Sequence, residues 1–298
     1  MNVTNELNLP DVLVRKCTRE KHNAEKCISA TTLKNGTRAF FLSDRHWDNI
    51  TVDVSDMLWA MFGTAFHSLM EEESENTFVE ELLTWKVGDW TVTGRIDGYD
   101  MSTGTIYDWK TTSAWKVIYK DFSDWKFQGL VYAWLLRKNG LPCDECRFIA
   151  CLKDFSKLKA KTESDYPKKS IYVYQFKVTE KDLAEIEKNI NAKIAEIEKS
   201  KDLEDDKLPL CSSSERWEKV EYAVYKNETA KRADKLFNAE KFNLPKTELE
   251  KMANEYAESV GGIVKDRSTD GKCNGYCQCC EFCDYWQAKY GEGQNGTD

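Results

Sequence analysis

Asp108 and Lys110 are separated by one residue inside TIYDWKTT, a run rich in β-branched and aromatic residues. On a strand, alternate side chains leave the same face, so this spacing sets a carboxylate beside an ammonium while Trp109 points the other way. Asp97 lies on the preceding β-rich run, WTVTGRIDGYD, and a turn between Asp100 and Gly104 joins the two runs into a hairpin. If the register allows, Asp97 arrives beside Asp108. Two convergent carboxylates can hold Mg²⁺ or Mn²⁺, and a neighbouring lysine can orient water and stabilise charge building on a phosphate. That is equipment for hydrolysing a phosphodiester. Alone, a D-x-K on a hairpin is ordinarily a cross-strand charge pair, so the reading depends on its company.

Gln128 and Tyr132 are that company, four residues apart and therefore on one side of a helix. The segment Trp125–Arg137 reads as that helix, with Leu130, Trp134 and neighbouring aliphatics forming a broad apolar face. His67, one of three histidines, sits in a second expected helix over 54–72, where Leu58, Met61, Phe62, Ala65, Phe66 and Leu69 recur at helical spacing. It could give an imidazole to the same metal. Strand character returns in CRFIACL and IYVYQFKV. The order strand, strand, helix, strand, strand predicts an α/β sandwich with a mixed sheet flanked by helices. A long helix follows, capped by Thr179 with Asp182 three residues on, and Leu183, Ile186, Ile190, Ile194 and Ile197 form its buried stripe. Beyond it the reading is a strand at EYAVYK, then helices over 229–240 and 246–259, the second stopped by Gly261 and Gly262. The simplest division is an N-terminal extension (1–53), a core (54–200) and a helical, cysteine-rich C-terminal extension (201–298).

Taken in order, Gly63-x-x-x-His67, Gly94-x-x-Asp97, Asp108-x-Lys110-Thr111 and Gln128-x-x-x-Tyr132 resemble the motif series of the RecB-like branch of the PD-(D/E)XK nucleases, across residues 55–135. The resemblance implies a restriction-endonuclease-like core in which His67, Asp97 and Asp108 bind the metal, Lys110 serves catalysis, and Gln128 and Tyr132 support the site and the DNA. It also implies a helical Glu between His67 and Asp97, which would be Glu80 or Glu81. The function implied is a metal-dependent DNA exonuclease or flap-type nuclease acting on ends or single strands. Possible partners are recombination or repair proteins, and oligomers occur among such enzymes. The alternatives are a catalytically inactive DNA-binding partner, which would normally have lost a carboxylate or the lysine, and an unrelated zinc-containing scaffold. Trp109, Trp115, Tyr119 and Trp125 could stack on unpaired bases, or pack in the core.

Eleven cysteines are an odd number, so disulfides cannot pair them all, and five fall between Cys273 and Cys283. In a reducing compartment such clustering favours metal or iron–sulfur ligation. Spacing alone leaves several ligand sets open. The segments around LPLCSSSERW and CNGYCQCCEFCDYW are similar to the C-terminal half of phage-encoded exonucleases of this superfamily. That likeness implies a [4Fe-4S] cluster on Cys211, Cys273, Cys277 and Cys283, with Zn²⁺ as the competitor. Similar terminal clusters occur in CRISPR-associated adaptation nucleases, whose fourth cysteine lies early in the chain, where Cys17 and Cys27 stand here. Cys143 and Cys146 offer another two zinc ligands, and Cys151 reads as a small buried hydrophobe.

The formal charge of −8 argues against nonspecific coating of nucleic acid but leaves room for a locally basic groove. Much of the acidity sits in separate runs, 71–81, 180–198 and 202–206, which read as solvated faces. No run of about 18 apolar residues suggests a membrane span, and the N-terminus lacks a signal-peptide centre, so the expectation is a cytoplasmic protein of a bacterial or phage-infected cell.

Overall fold

The hairpin over residues 90–112 lies at the centre of a six-stranded mixed sheet in the computed structural model, which describes residues 1–18, 20–21, 25–71 and 77–291. The strands are β1 (Cys27–Ser29), β2 (Thr77–Val87), β3 (Trp90–Asp100), β4 (Thr105–Thr112), β5 (Glu145–Leu152) and β6 (Ile171–Lys177). Their order is β1-β3-β4-β5-β6, and β2 lies along β3 as an antiparallel neighbour. β1 runs parallel to β3 and β4 parallel to β5, whereas β3–β4 and β5–β6 are antiparallel. Helices flank this sheet. They are α1 (Leu58–Leu69), α2 (Ala114–Tyr119), α3 (Ser123–Lys138), α4 (Lys157–Thr162) and α5 (Glu180–Ser200).

The pairing of β3 with β4 is short. Only Gly98, Tyr99 and Asp100 pair, with Tyr107, Ile106 and Thr105. Nearer the start of β3, Thr91, Val92 and Thr93 pair instead with β1. Residues 94–97 therefore pair with neither strand on that edge, and β3 and β4 part just where Asp97 and Asp108 stand. Gly94 makes the split possible from behind: a Cβ there would meet Leu135 Cδ1 at 2.7 Å and Tyr132 Cδ1 at 2.9 Å, so only glycine lets α3 lie this close to β3. Gly129 does the same for β5, since its Cβ would stand 3.0 Å from the Phe148 ring.

α3 is buried along most of its length, from Trp125 to Leu136, and α5 packs on it through Leu183, Ile186, Ile190, Ile194 and Ile197. The capping box expected at the start of α5 is present: Asp182 N donates to Thr179 Oγ1, and the Asp182 carboxylate accepts from Thr179 N. α1 is the helix expected within 54–72, but none of it is buried, and Leu58, Trp59, Phe62 and Leu69 are exposed. Spacing reveals that a helix is amphipathic but not whether anything covers it. The end of the expected helix at 72 and the acidic residues 72–76 lie outside the described residues.

The chain divides into two compact units, residues 1–37 with 47–202, and residues 38–46 with 203 onward. The expected boundary at 53 is thereby redrawn. β1 is a member of the central sheet, Asn2–Thr4 pairs with Thr51–Asp53, and helix Thr37–Arg45 is, but for its first residue, part of the second unit. The second unit is also less helical than expected. β7 (Glu221–Tyr225) is flanked by antiparallel β8 (Lys235–Asn238) and β9 (Ile263–Asp266), and α6 (Lys246–Val260) lies on that sheet through Leu249, Ala253 and Ala257. Residues 235–238, read as helix, are strand because Phe237 completes the apolar cluster of Tyr222, Val224 and Leu249. α7 (Asp284–Tyr290) follows the cysteine tail. Among the described residues, no helix is long and apolar enough to cross a membrane.

Candidate active site

Asp97 fills the gap left by the parted strands. Its Oδ2 accepts a hydrogen bond from the amide of Trp109 at 2.8 Å, replacing a ladder bond with a side-chain one. The same oxygen lies 3.3 Å from His67 Nδ1, delivered by α1. That hydrogen bond raises the His67 pKa against the opposing effect of burial.

Glu80 completes a group. Ligand atoms of His67, Glu80 and Asp97 all lie within 4.8 Å of one another. The structure thus separates the two glutamates that the sequence left open, and places both on strand β2 rather than on a helix. Val79 pairs with Gly98 and Glu81 with Ile96, so Glu80 stands directly opposite Asp97 without joining the ladder. Its backbone is left-handed, with φ of 54°. For a non-glycine residue this conformation is costly, and such strain collects at functional sites. Burial pushes the Glu80 carboxyl up, with added repulsion from Asp97 and Glu71. The cue in the sequence was the Glu-Glu pair that interrupts the alternation of TFVEELLTW.

Asp108 adjoins this group from β4. It is 1% exposed, and among the described residues its ion-pair partner is Lys110 Nζ at 2.5 Å. Neither carboxylate oxygen accepts a well-formed hydrogen bond. Burial raises its pKa to about 6; Asp97 adds to the rise, and Lys110 opposes it. A buried carboxylate paired only with Lys110 among the described residues, beside two more carboxylates and an imidazole, is a donor set suited to a hard divalent cation. Lys110 also lies 5.6 Å from the ring centroid of Phe148, which is aligned with Asp108 and stacks on Trp125 of α3. Asp108 and Lys110 therefore project toward α3. There Gln128 Nε2 donates to the Tyr132 hydroxyl at 2.8 Å, and both side chains are buried. Burial, reinforced by the charge of Asp108, drives the Tyr132 phenol upward.

His67 and Glu80 line a cleft of about 410 Å³, together with Ala60, Gly63, Thr64 and Ser68 of α1 and Glu71. Of the four aromatics considered for base stacking, Trp125 is core and Trp109 half-buried, whereas Trp115 and Tyr119 are exposed.

In the second unit, Cys211, Cys273, Cys277 and Cys283 are close enough to perturb one another's ionisation. Burial pushes the Cys273 thiol up to about 12, with the other three adding to it. Cys277 instead falls to about 6, because its thiolate accepts from Cys279, 3.6 Å away, whose own thiol is driven up. Cys211, Cys273, Cys277 and Cys283 are all half-buried, and the metal-ligand grouping found among the described residues is that of His67, Glu80 and Asp97 rather than the thiols. Cys211 is fixed by Arg216, which donates to its carbonyl and to Asp270 Oδ1 at 3.0 Å. Cys143 and Cys146 are core residues of the first unit, Cys146 donating to the Gly129 carbonyl at 3.5 Å. Cys17 packs with Val54 and Met57, Cys27 belongs to β1, and Cys151 on β5 is half-buried rather than buried.

No protein-family model and no curated protein matches the sequence. Among solved structures, the chain is similar to SSO0001 at 16% identity, covering 60% of this chain and 83% of that one, with a TM-score of 0.41. It is similar to LHK-Exo, solved in complex with dAMP, at 14% identity over 58% and 88%, with a TM-score of 0.38. A phage-related exonuclease from Haemophilus somnus 129PT matches at 13% identity over 54% and 71%, with a TM-score of 0.28. Likenesses this remote do not assign an activity.

Proposed function

We propose that the chain is a Mg²⁺- or Mn²⁺-dependent DNA nuclease of the PD-(D/E)XK type. The observation that carries this reading is the convergence of His67, Glu80 and Asp97 beside the buried carboxylate of Asp108 and its partner Lys110. His67, Glu80, Asp97 and Asp108 would hold the cation. When bound, it would supply Lewis-acid stabilisation of the scissile phosphate and lower the pKa of nearby water. Lys110 then orients the attacking water and balances charge on the phosphoryl oxygens as a P–O bond forms to the water oxygen and the P–O ester bond to the leaving sugar oxygen breaks, the water releasing a proton to solvent and the leaving oxygen taking one up. Gln128 and Tyr132 keep the α3 side of the site in place through their mutual hydrogen bond. Action on ends or single strands is what the resemblance to phage-encoded exonucleases adds.

Cys211, Cys273, Cys277 and Cys283 are proposed to hold a [4Fe-4S] cluster that secures the C-terminal segment, a structural task. Anaerobically purified protein should be brown and contain iron; a colourless protein with stoichiometric zinc would replace the cluster by Zn²⁺. The activity is tested with end-labelled single- and double-stranded DNA, with and without Mn²⁺ or Mg²⁺. Degradation should require the metal and vanish in Asp108→Ala. Wild type that binds DNA and leaves it intact with either metal would overturn the reading in favour of an inactive DNA-binding module.

A further inference from the structure

α1 leads away from the candidate centre. Trp59, Gly63 and His67 are spaced four apart and share one stripe of the helix, so Trp59 stands about 12 Å along the axis from the metal group. Gly63 is where this stripe rests on β4, since a Cβ there would be 3.4 Å from Thr111 Oγ1. Trp59 is 53% exposed, and Lys153 Nζ lies 4.2 Å from its ring centroid.

The chain beyond Lys110 reaches the same surface. After β4, Ser113 caps α2, whose Trp115 and Tyr119 are 52% and 64% exposed and stack at 5.8 Å between centroids. Lys159 Nζ of α4 lies 5.8 Å from the Trp115 ring. The pieces are fixed to each other. Lys153 N donates to the Thr112 carbonyl at 2.9 Å, Asp154 accepts from Ser113 Oγ and Ala114 N, and Tyr166 OH binds Ser156 N and the Asp154 carbonyl. In a chain of net charge −8, residues 153–169 hold six lysines against three acids.

We propose that this face, Trp59 with Trp115 and Tyr119 bordered by Lys153 and Lys159, is a binding track for single-stranded DNA that feeds the centre. It rests on the nuclease reading and deepens it. Aromatic rings can stack only on bases whose faces are free, and the lysines that lie over the Trp59 and Trp115 rings in the free protein swing to the phosphates that follow as bases take their place. A duplex offers the phosphates without the base faces.

The test is fluorescence anisotropy of a labelled oligo(dT) and of a duplex of equal length, using the full chain carrying Asp108→Ala in metal-free buffer so that nothing is cut. Adding Trp115→Ala and Tyr119→Ala should weaken oligo(dT) binding at least about tenfold and leave the duplex within about twofold, as lost stacking does. Trp115→Phe with Tyr119→Phe should restore most of it. Lys153→Ala with Lys159→Ala should lower the slope of log K against log salt by about 1.4, two phosphates at the single-strand value. Unchanged oligo(dT) affinity in the aromatic variant, or equal losses on both DNAs, would overturn the track. If the wild type still degrades DNA with Mn²⁺, the nuclease reading survives that failure; if selective binding holds but no DNA is ever cut, the track stands and the nuclease reading falls.

Discussion

Glu80 carries the sharpest consequence at the scale of single residues. It accepts a left-handed backbone and a raised pKa in order to face Asp97, which makes sense if a cation repays both. Glu80→Gln should therefore weaken Mn²⁺ binding by at least about tenfold in calorimetric titration, the loss typical even of outer-shell partners, whereas Glu81→Gln should leave it unchanged. Equal effects at the two positions would refute the assignment. Asp108 gives a pH dependence. In the metal-free protein its folded pKa of about 6 lies above the ordinary 3.8, so the folded state holds a proton that the unfolded chain has released. Stability from this group is full below about 4, declines as pH rises toward 6, and stays reduced above it. A divalent cation takes the proton's place, so Mn²⁺ should raise Tm more at pH 7.5 than at pH 5, and an equal rise at both would contradict this. His67, Asp97, Asp108, Lys110, Gln128 and Tyr132 were legible because their spacing survives folding unaltered. The choice of Glu80 was not, since it depends on a backbone twist opposite Asp97 that only the paired strand reveals.

Among the elements, the decisive feature is a hairpin that closes for three residue pairs and then opens. The hairpin could be read from alternation and turn residues, whereas its early parting follows from β1 occupying the rest of that edge of β3 and from α3 backing onto Gly94. Gly94→Ala should push against Tyr132 and Leu135 and cost about 1–3 kcal/mol in urea unfolding, with a matching loss of activity if Tyr132 shifts. No change in either would mean that the close approach is not needed. The same element logic explains the one helical misreading and the exposure of α1. β8 became strand because β7 needed an antiparallel neighbour, and the apolar face of α1 stays open because α1 meets the sheet chiefly at Gly63. Neither partner is visible in local sequence.

For the molecule as a whole, the candidate carboxylate–imidazole group lies in one unit and the clustered cysteines 273–283 with Cys211 in the other. In the second unit, buried Asp270 accepts from Arg216, Lys289 at 2.7 Å and Tyr285 at 2.8 Å, joining the segment after Cys211 to the helix after Cys283. Burial alone would raise its pKa, but these donors win and hold it at about 2. A depressed carboxyl contributes stability that is full above about 4 and lost as pH falls through 2. Asp270→Asn should accordingly cost about 3 kcal/mol near neutrality and flatten the acid limb of the melting curve between those pH values. A variant that melts like wild type would show the network to be incidental.

The central claim is that the parted strands assemble a metal-dependent hydrolytic centre in which Lys110 acts on the reaction. The most direct measurement is the single-turnover rate of DNA cleavage against Mn²⁺ concentration, for wild type and for Lys110→Ala. The wild type should saturate with metal, and Lys110→Ala should reach half-saturation at the same concentration while being at least about a hundredfold slower at the plateau, the size of losing one charge-stabilising donor. Cleavage that ignores the metal, or a lysine variant as fast as wild type, would contradict it.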